Sequence, residues 1–241
     1  METSFRPQVE GLENRCVPAA GATASFNEAY VSQLYRDLLH READPAGLNF
    51  FTTQMSLKGS VGMSPTQVAL SIIHSQEYRT DVVEDFYQRL LGRAADQTGI
   101  VFWTSLQARG FTAEQVEEGI FSSDEYFTLH GSSNNGFLAG VYQDVLGRPP
   151  DPAGRATFDA FLSGGVSARA TVATAILSSL ESDTREVQAL YLQLLHRPAD
   201  QQGLSVQANQ LQSGVSNETL AVRFVTSTEY FADVQAQVIT K

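Results

Sequence analysis

Four times along this chain a tyrosine opens the same spaced tract, Tyr-x-x-Leu/Val-Leu-x-Arg-x-x-Asp-x-x-Gly. The copies are Tyr35, Arg41, Asp44 and Gly47; Tyr87, Arg93, Asp96 and Gly99; Tyr142, Arg148, Asp151 and Gly154; and Tyr191, Arg197, Asp200 and Gly203. Successive tyrosines lie 52, 55 and 49 residues apart. A period near fifty restricts the fold more than any bulk property. It specifies one supersecondary unit copied in series, each copy covering an apolar face that its neighbour cannot bury alone.

The rest of the unit aligns as well. A helix A carries apolar residues at steps of three and four: Tyr30, Leu34, Leu38 and Leu39; Val83, Tyr87, Leu90 and Leu91; Leu138, Val141, Tyr142, Val145 and Leu146; Val187, Leu190, Tyr191, Leu194 and Leu195. That spacing places them on one stripe. Helix A ends at His40, Gly92, Gly147 or His196, where a left-handed residue commonly closes a helix. The Asp that follows is a helix-start signal, strengthened by Pro45 and Pro152. It opens a helix B of about eleven residues bearing Phe50 and Phe51, Phe102 and Trp103, or Phe158 and Phe161. A helix C opens at Ser64, Thr112, Ser167 and Ser216, with Gln67 and Gln115 completing capping boxes. Three copies close on Glu-Tyr, at Tyr78, Tyr126 and Tyr230, and repeat 3 places Glu181 there. No segment sustains strand alternation. The expected fold is all-α, a tandem array of about four three-helix repeats of about fifty residues.

Boundaries follow from what interrupts the period. Residues 1–25 read as a disordered leader or export-related segment. Ser60-Val61-Gly62 lengthens one connection in repeat 1, and Gly131 to Gly136 reads as a linker. The expected grouping is therefore two pairs: repeats 1 and 2 over 26–130, the linker over 131–136, and repeats 3 and 4 over 137–230. Residues 231–241 read as a terminal helix where a fifth helix A would begin. Repeat 3 reads as divergent, with Arg155 in place of the Leu48-type residue.

Little in the chain points to chemistry. A net charge of −11 and a sequence pI near 4.7 argue against a nucleic-acid partner. No stretch approaches the ~20 apolar residues of a membrane-spanning helix. The single cysteine, Cys16, excludes an internal disulfide framework and a Cys-based zinc site. None of the four histidines stands at a metal-ligand spacing, and no phosphate loop or nucleophile elbow occurs. Each repeat loop offers one Asp where a calcium loop needs several donors, so calcium is not expected. No cofactor is expected either, and the chain is not read as an enzyme. The four Arg–Asp pairs read as joint-forming residues, with each Asp capping helix B. Trp103 is the one residue singled out for possible ligand contact.

The spaced tract, the aromatic helix B and the terminal Ser-x-Glu-Tyr together resemble the domain of unknown function 4214 family across about residues 26–230. The tract is also distantly similar to phycobilisome linker domains. Residues Phe5 to Ala19, with Leu12-Glu13-Asn14-Arg15, resemble a short N-terminal motif of planctomycete extracellular proteins. These resemblances imply a helical, exported or surface-associated protein and supply no catalytic residues. The leading expectation is a non-enzymatic interaction or assembly module, extracellular or at the cell surface, whose partner is a protein or an envelope polymer. The alternatives are a carbohydrate-binding module using helix B aromatics, and an enzyme with an unfamiliar site between repeats.

Overall fold

The computed structural model describes residues 20–57 and 61–239, which hold fourteen α-helices and no strand. Helix A is α1 (Ala20–Leu39), α4 (Gln76–Leu91) and α11 (Leu180–Leu194) in repeats 1, 2 and 4. In repeat 3 it is α8 (Asn134–Val141), which runs into a π-helical turn at Tyr142–Leu146. Helix B is α2 (Pro45–Ser56), α5 (Gln97–Gln107), α9 (Pro152–Asp159) and α12 (Gln201–Gln212). Helix C is α3 (Pro65–Ile73), α6 (Ala113–Phe121), α10 (Val166–Leu177) and α13 (Asn217–Val225). Two further helices, α7 (Asp124–Leu129) and α14 (Thr228–Ile239), follow repeats 2 and 4.

The local signals act as the sequence predicts. Ser64 and Thr112 form capping boxes with Gln67 and Gln115. His40 and His196 take φ of 53° and 52°, matching Gly92 at 66° and Gly147 at 65°. They are two of the few non-glycine residues held in the left-handed region. The helix A stripe is buried throughout except for Val145, which is half-buried.

Two readings of the repeat need correction. Ser-x-Glu-Tyr does not terminate a unit: Ser75, Ser123 and Ser227 cap α4, α7 and the start of α14 by accepting the amides of Tyr78, Tyr126 and Tyr230. Repeat 3 also keeps the cap, because Ser179 accepts the Ser182 amide at the head of α11. Counting from Ser179 rather than Ser167 sets Val172 and Ile176 in the buried places of Val68 and Ile72. The register at Ser167 was one residue early, and α10 starts instead from Gly165, without a side-chain cap.

The grouping of repeats also differs from the sequential one. One core joins repeats 1 and 4, with Tyr30, Leu34, Ile72, Leu194, Leu220 and Tyr230 among its buried members. The other joins repeats 2 and 3, from Val83 and Phe121 to Phe137 and Ile176. The segment expected as a linker is a turn inside this second core. Ser133 caps α8, and Tyr126 on one side packs edge-on to Phe137 on the other at 6.0 Å. The array therefore closes on itself: α14, at the C-terminal end of the described residues, packs against α1, at the N-terminal end. Tyr30 meets Tyr230 edge-on at 6.0 Å and Phe231 at 5.5 Å.

Closure follows an approximate twofold pattern. The Tyr126 hydroxyl donates to Asp144 of repeat 3 at 2.7 Å, and the Tyr230 hydroxyl donates to Asp37 of repeat 1 at 2.8 Å. Thus α14 completes repeat 1 as α7 completes repeat 3, across a chain end instead of a turn. Helix α1 begins inside the segment expected as a leader, and α14 begins ahead of residue 231. Residues 1–19 with Cys16, the insertion residue Ser60, and residues 240–241 lie outside the described residues.

Closure through Tyr230 has a measurable consequence. Tyr230→Ala is expected to cost about 3–5 kcal/mol, as for other large core truncations. Tyr230→Phe is expected to cost about 1–3 kcal/mol, because it leaves the buried Asp37 carboxylate short of a donor. Urea denaturation gives both values, and hydrogen exchange is expected to show α1 losing protection before α8.

Candidate functional site

Every residue singled out in the repeated tract meets its own repeat at one joint. Asp44 caps α2 by accepting the amides of Ala46 and Gly47, and Asp96, Asp151 and Asp200 accept from Gly99, Gly154 and Gly203. Those hydrogen bonds hold the Asp44 and Asp151 carboxyls below their ordinary range. The tyrosine of each repeat lies over the same turn. A Cβ on Gly47, Gly99, Gly154 or Gly203 would overlap the hydroxyl of Tyr35, Tyr87, Tyr142 or Tyr191, which at Gly203 would be 2.5 Å away. The interval from Tyr to Gly is thus a steric requirement of two helices in close contact.

The arginine stacks on that tyrosine, with its guanidinium carbon 4.9 Å from the ring centroid at Tyr35 and Tyr87, 5.3 Å at Tyr142 and 5.1 Å at Tyr191. It also reaches a partner that the sequence reading did not assign. Nη2 of Arg41, Arg93, Arg148 and Arg197 donates to Oε2 of Glu77, Glu125, Glu181 and Glu229 at 2.8, 2.7, 2.6 and 2.8 Å. Nε donates to the other carboxylate oxygen in each case. Nη1 donates to the carbonyl of the residue after the arginine. These glutamates follow the serine caps, and Glu181 holds the place in repeat 3 that its altered terminus obscured. The signal was the recurring Ser-x-Glu. Its partner stands 32 to 36 residues away, beyond the reach of any local pattern. The arginine hydrogen bonds lower all four glutamate pKa values. Their contribution to stability is therefore present above the ordinary glutamate range and lost as pH falls through the lowered folded values.

Trp103 is half-buried. Its ring packs over Gly119, where a Cβ would overlap it, and its indole N–H donates to the Tyr87 hydroxyl at 3.3 Å. The exposed aromatic is its neighbour Phe102, at 53%.

A different place gathers chemistry. A cavity of about 470 Å³ lies where all four repeats meet, walled by α1, α4, α6, α10, α11, α13 and the π-helical turn. Seven carboxylates line it, those of Asp81, Asp85, Glu114, Glu117, Asp144, Glu186 and Glu218, against two arginines, Arg89 and Arg185. Across it, α6 and α13 cap one another: Glu218 accepts the Ala113 amide at 2.8 Å and Glu114 accepts the Asn217 amide at 2.9 Å. Arg89 donates to Glu117 at 2.8 Å, and Arg185 donates to the Val145 carbonyl at 3.2 Å. Desolvation raises the carboxyl pKa values of Glu117, Glu218 and Asp81. Desolvation, with the charges of Glu117 and Glu114, pushes Glu186 up to about 7. Sequence reading missed this cluster because Asp81 and Glu114 of repeat 2, Asp144 of repeat 3, and Glu186 and Glu218 of repeat 4 share no motif. Among the described residues no group of His, Cys, Asp or Glu is arranged to hold a metal ion, and no helix is long and apolar enough to cross a membrane.

Comparison with known proteins gives one family, described as Domain of unknown function (DUF4214), which matches residues 20–82, 118–186 and 182–234. No curated protein and no solved structure matches the chain.

Two outcomes are expected. Gly203→Ala should cost about 1–3 kcal/mol by overpacking. The cost should shrink in a Tyr191→Phe background, where the overlapping hydroxyl is gone; a double-mutant cycle by denaturant melts reads the difference. For Glu186, the folded state binds a proton more tightly than the unfolded chain, so its contribution to stability falls as pH rises from about 4.5 through 7. Glu186→Gln should therefore raise Tm at pH 8 and leave it little changed at pH 4.

Proposed function

The chain belongs to the DUF4214 family, and from that premise we propose that it is a non-enzymatic interaction or assembly module. It works outside the cytoplasm or at the cell surface and engages a protein or an envelope polymer through the outer sides of its B helices. One observation carries the reading. Six residues after the capping Asp, three of the four repeats turn a large apolar side chain to solvent: Phe50 at 54%, Phe102 at 53% and Val206 at 46%. Thr157 stands there in repeat 3, and the nearby Phe161 is 60% exposed. Helices α2 and α9 bury no residue. Apolar groups held at equivalent places and left uncovered suit a partner. The Tyr, Arg, Asp and Gly of each tract are engaged in joints, which leaves the outer helix faces as the surface open to a partner. The placement outside the cytoplasm draws on the N-terminal resemblance and the acidic surface. A sugar-binding platform would fall to Phe50 and Phe102 rather than to Trp103.

The test is retention of envelope material from the native host on the immobilised full chain, compared with a Phe50→Ser/Phe102→Ser variant of equal stability. Material retained by the native chain, competed off by free protein and lost from the variant supports the module. No retention, or equal retention by the variant, rejects it. A second reading, an enzyme with a site between repeats, is favoured by the central cavity and the acidity of Glu186. Turnover of any substrate in a broad panel, abolished in Glu186→Gln, would replace the first reading.

A further inference from the structure

The central cavity is remote from the outer helix faces and poses a separate problem. Seven carboxylates share a space of about 470 Å³ with two arginines, and enclosing like charge is unfavourable unless something neutralises it. Internal pairing does this only in part. Arg89 is committed to Glu117 and Asp85, and Arg185 to the Val145 carbonyl. Asp144 accepts from Tyr126, and one oxygen each of Glu114 and Glu218 is used on the opposing helix.

Three groups are left over. Among the described residues Glu186 on α11 and Asp81 on α4 line the cavity with no hydrogen-bond donor and no ion-pair partner. The second oxygen of Glu114, Oε2, is inaccessible to solvent and has no partner. Folded proteins rarely leave a carboxylate oxygen in that condition. The cavity wall also contains a π-helical turn, a form that recurs at functional sites.

The chemistry of the walls restricts the occupant. A small inorganic cation needs convergent ligands, and no such group is present among the described residues. Apolar side chains share the wall with the acids, including Leu38, Val82, Phe86, Leu177 and Leu190. A ligand with ammonium groups spaced along methylene segments meets both features. We propose that this cavity binds a linear aliphatic polyamine, with Glu186, Glu117 and Glu218 facing its ammonium groups. The acidity of Glu186 agrees: a cation beside it favours the ionised form, so binding at neutral pH releases a proton.

The test is calorimetric titration of the full chain with putrescine, spermidine and spermine at physiological ionic strength, with magnesium as the inorganic control. The expected result is saturable one-site binding of a polyamine. Glu186→Gln should weaken it at least tenfold, whereas Glu42→Gln, an exposed surface control, should leave it unchanged. At pH 7 the observed heat should vary with the ionisation enthalpy of the buffer, and this variation should vanish in Glu186→Gln. Circular dichroism and Tm establish that both variants fold. Absence of saturable binding, equal affinity in Glu186→Gln, or full competition by equimolar magnesium overturns the proposal, the last two showing diffuse counter-ion attraction. None of these results depends on whether the outer helix faces bind an envelope partner.

Discussion

At each of the four joints one guanidinium lies over a tyrosine ring, spans both oxygens of a glutamate and binds the carbonyl just beyond it. The rest of the architecture hangs on that contact. The tyrosine belongs to helix A, the carbonyl to the turn before helix B, and the glutamate to the first turn of the helix after helix C. A planar group with donors in a fixed fork sets the relative placement of all three more tightly than a flexible ammonium could. The glutamates keep about 40% of their side-chain surface exposed, so each clasp stabilises modestly. Its value is geometric: the same set of contacts is reproduced four times.

That repetition has a consequence for closure. Four copies of one joint carry the chain around until the start of a fifth unit, α14, meets the first helix. Tyr230, Asp37 and Tyr30 then form at the chain ends the contact that Tyr126, Asp144 and Phe137 form mid-chain. Gln33 and Gln193 donate to Asp37 as well, at its side chain and its carbonyl respectively. A buried carboxylate with several donors is costly to disrupt and specific in what it accepts. The end-to-end contact is thus a selective one. A solenoid that closes this way also encloses space at its centre, and the acidic cavity is the product of that closure.

Much of this was legible in the residues. The period, the helix class, the capping boxes, the left-handed histidines and the capping role of Asp44, Asp96, Asp151 and Asp200 are all local. The caps and left-handed turns depend on backbone groups within four residues, and the period is a recurrence of residue types; a linear pattern records both. The repeat 3 register was misread because Tyr is replaced by Ser182 after Glu181, so the alignment slid by one residue. The Gly131 to Gly136 segment was misread as a linker because turn-forming residues look the same whether the helices they join share a core or belong to separate ones.

What the amino-acid sequence determined by itself was the unit: three helices, their caps, and the tract that repeats them. Only the tertiary structure decided which units pair, that repeat 1 joins repeat 4, that each arginine finds a glutamate over thirty residues away, and that Glu114, Glu186 and Glu218 face one cavity. The physical reason is range. Caps act over one turn of helix, whereas shared cores and a common electrostatic field come from residues that become neighbours only once the array has closed.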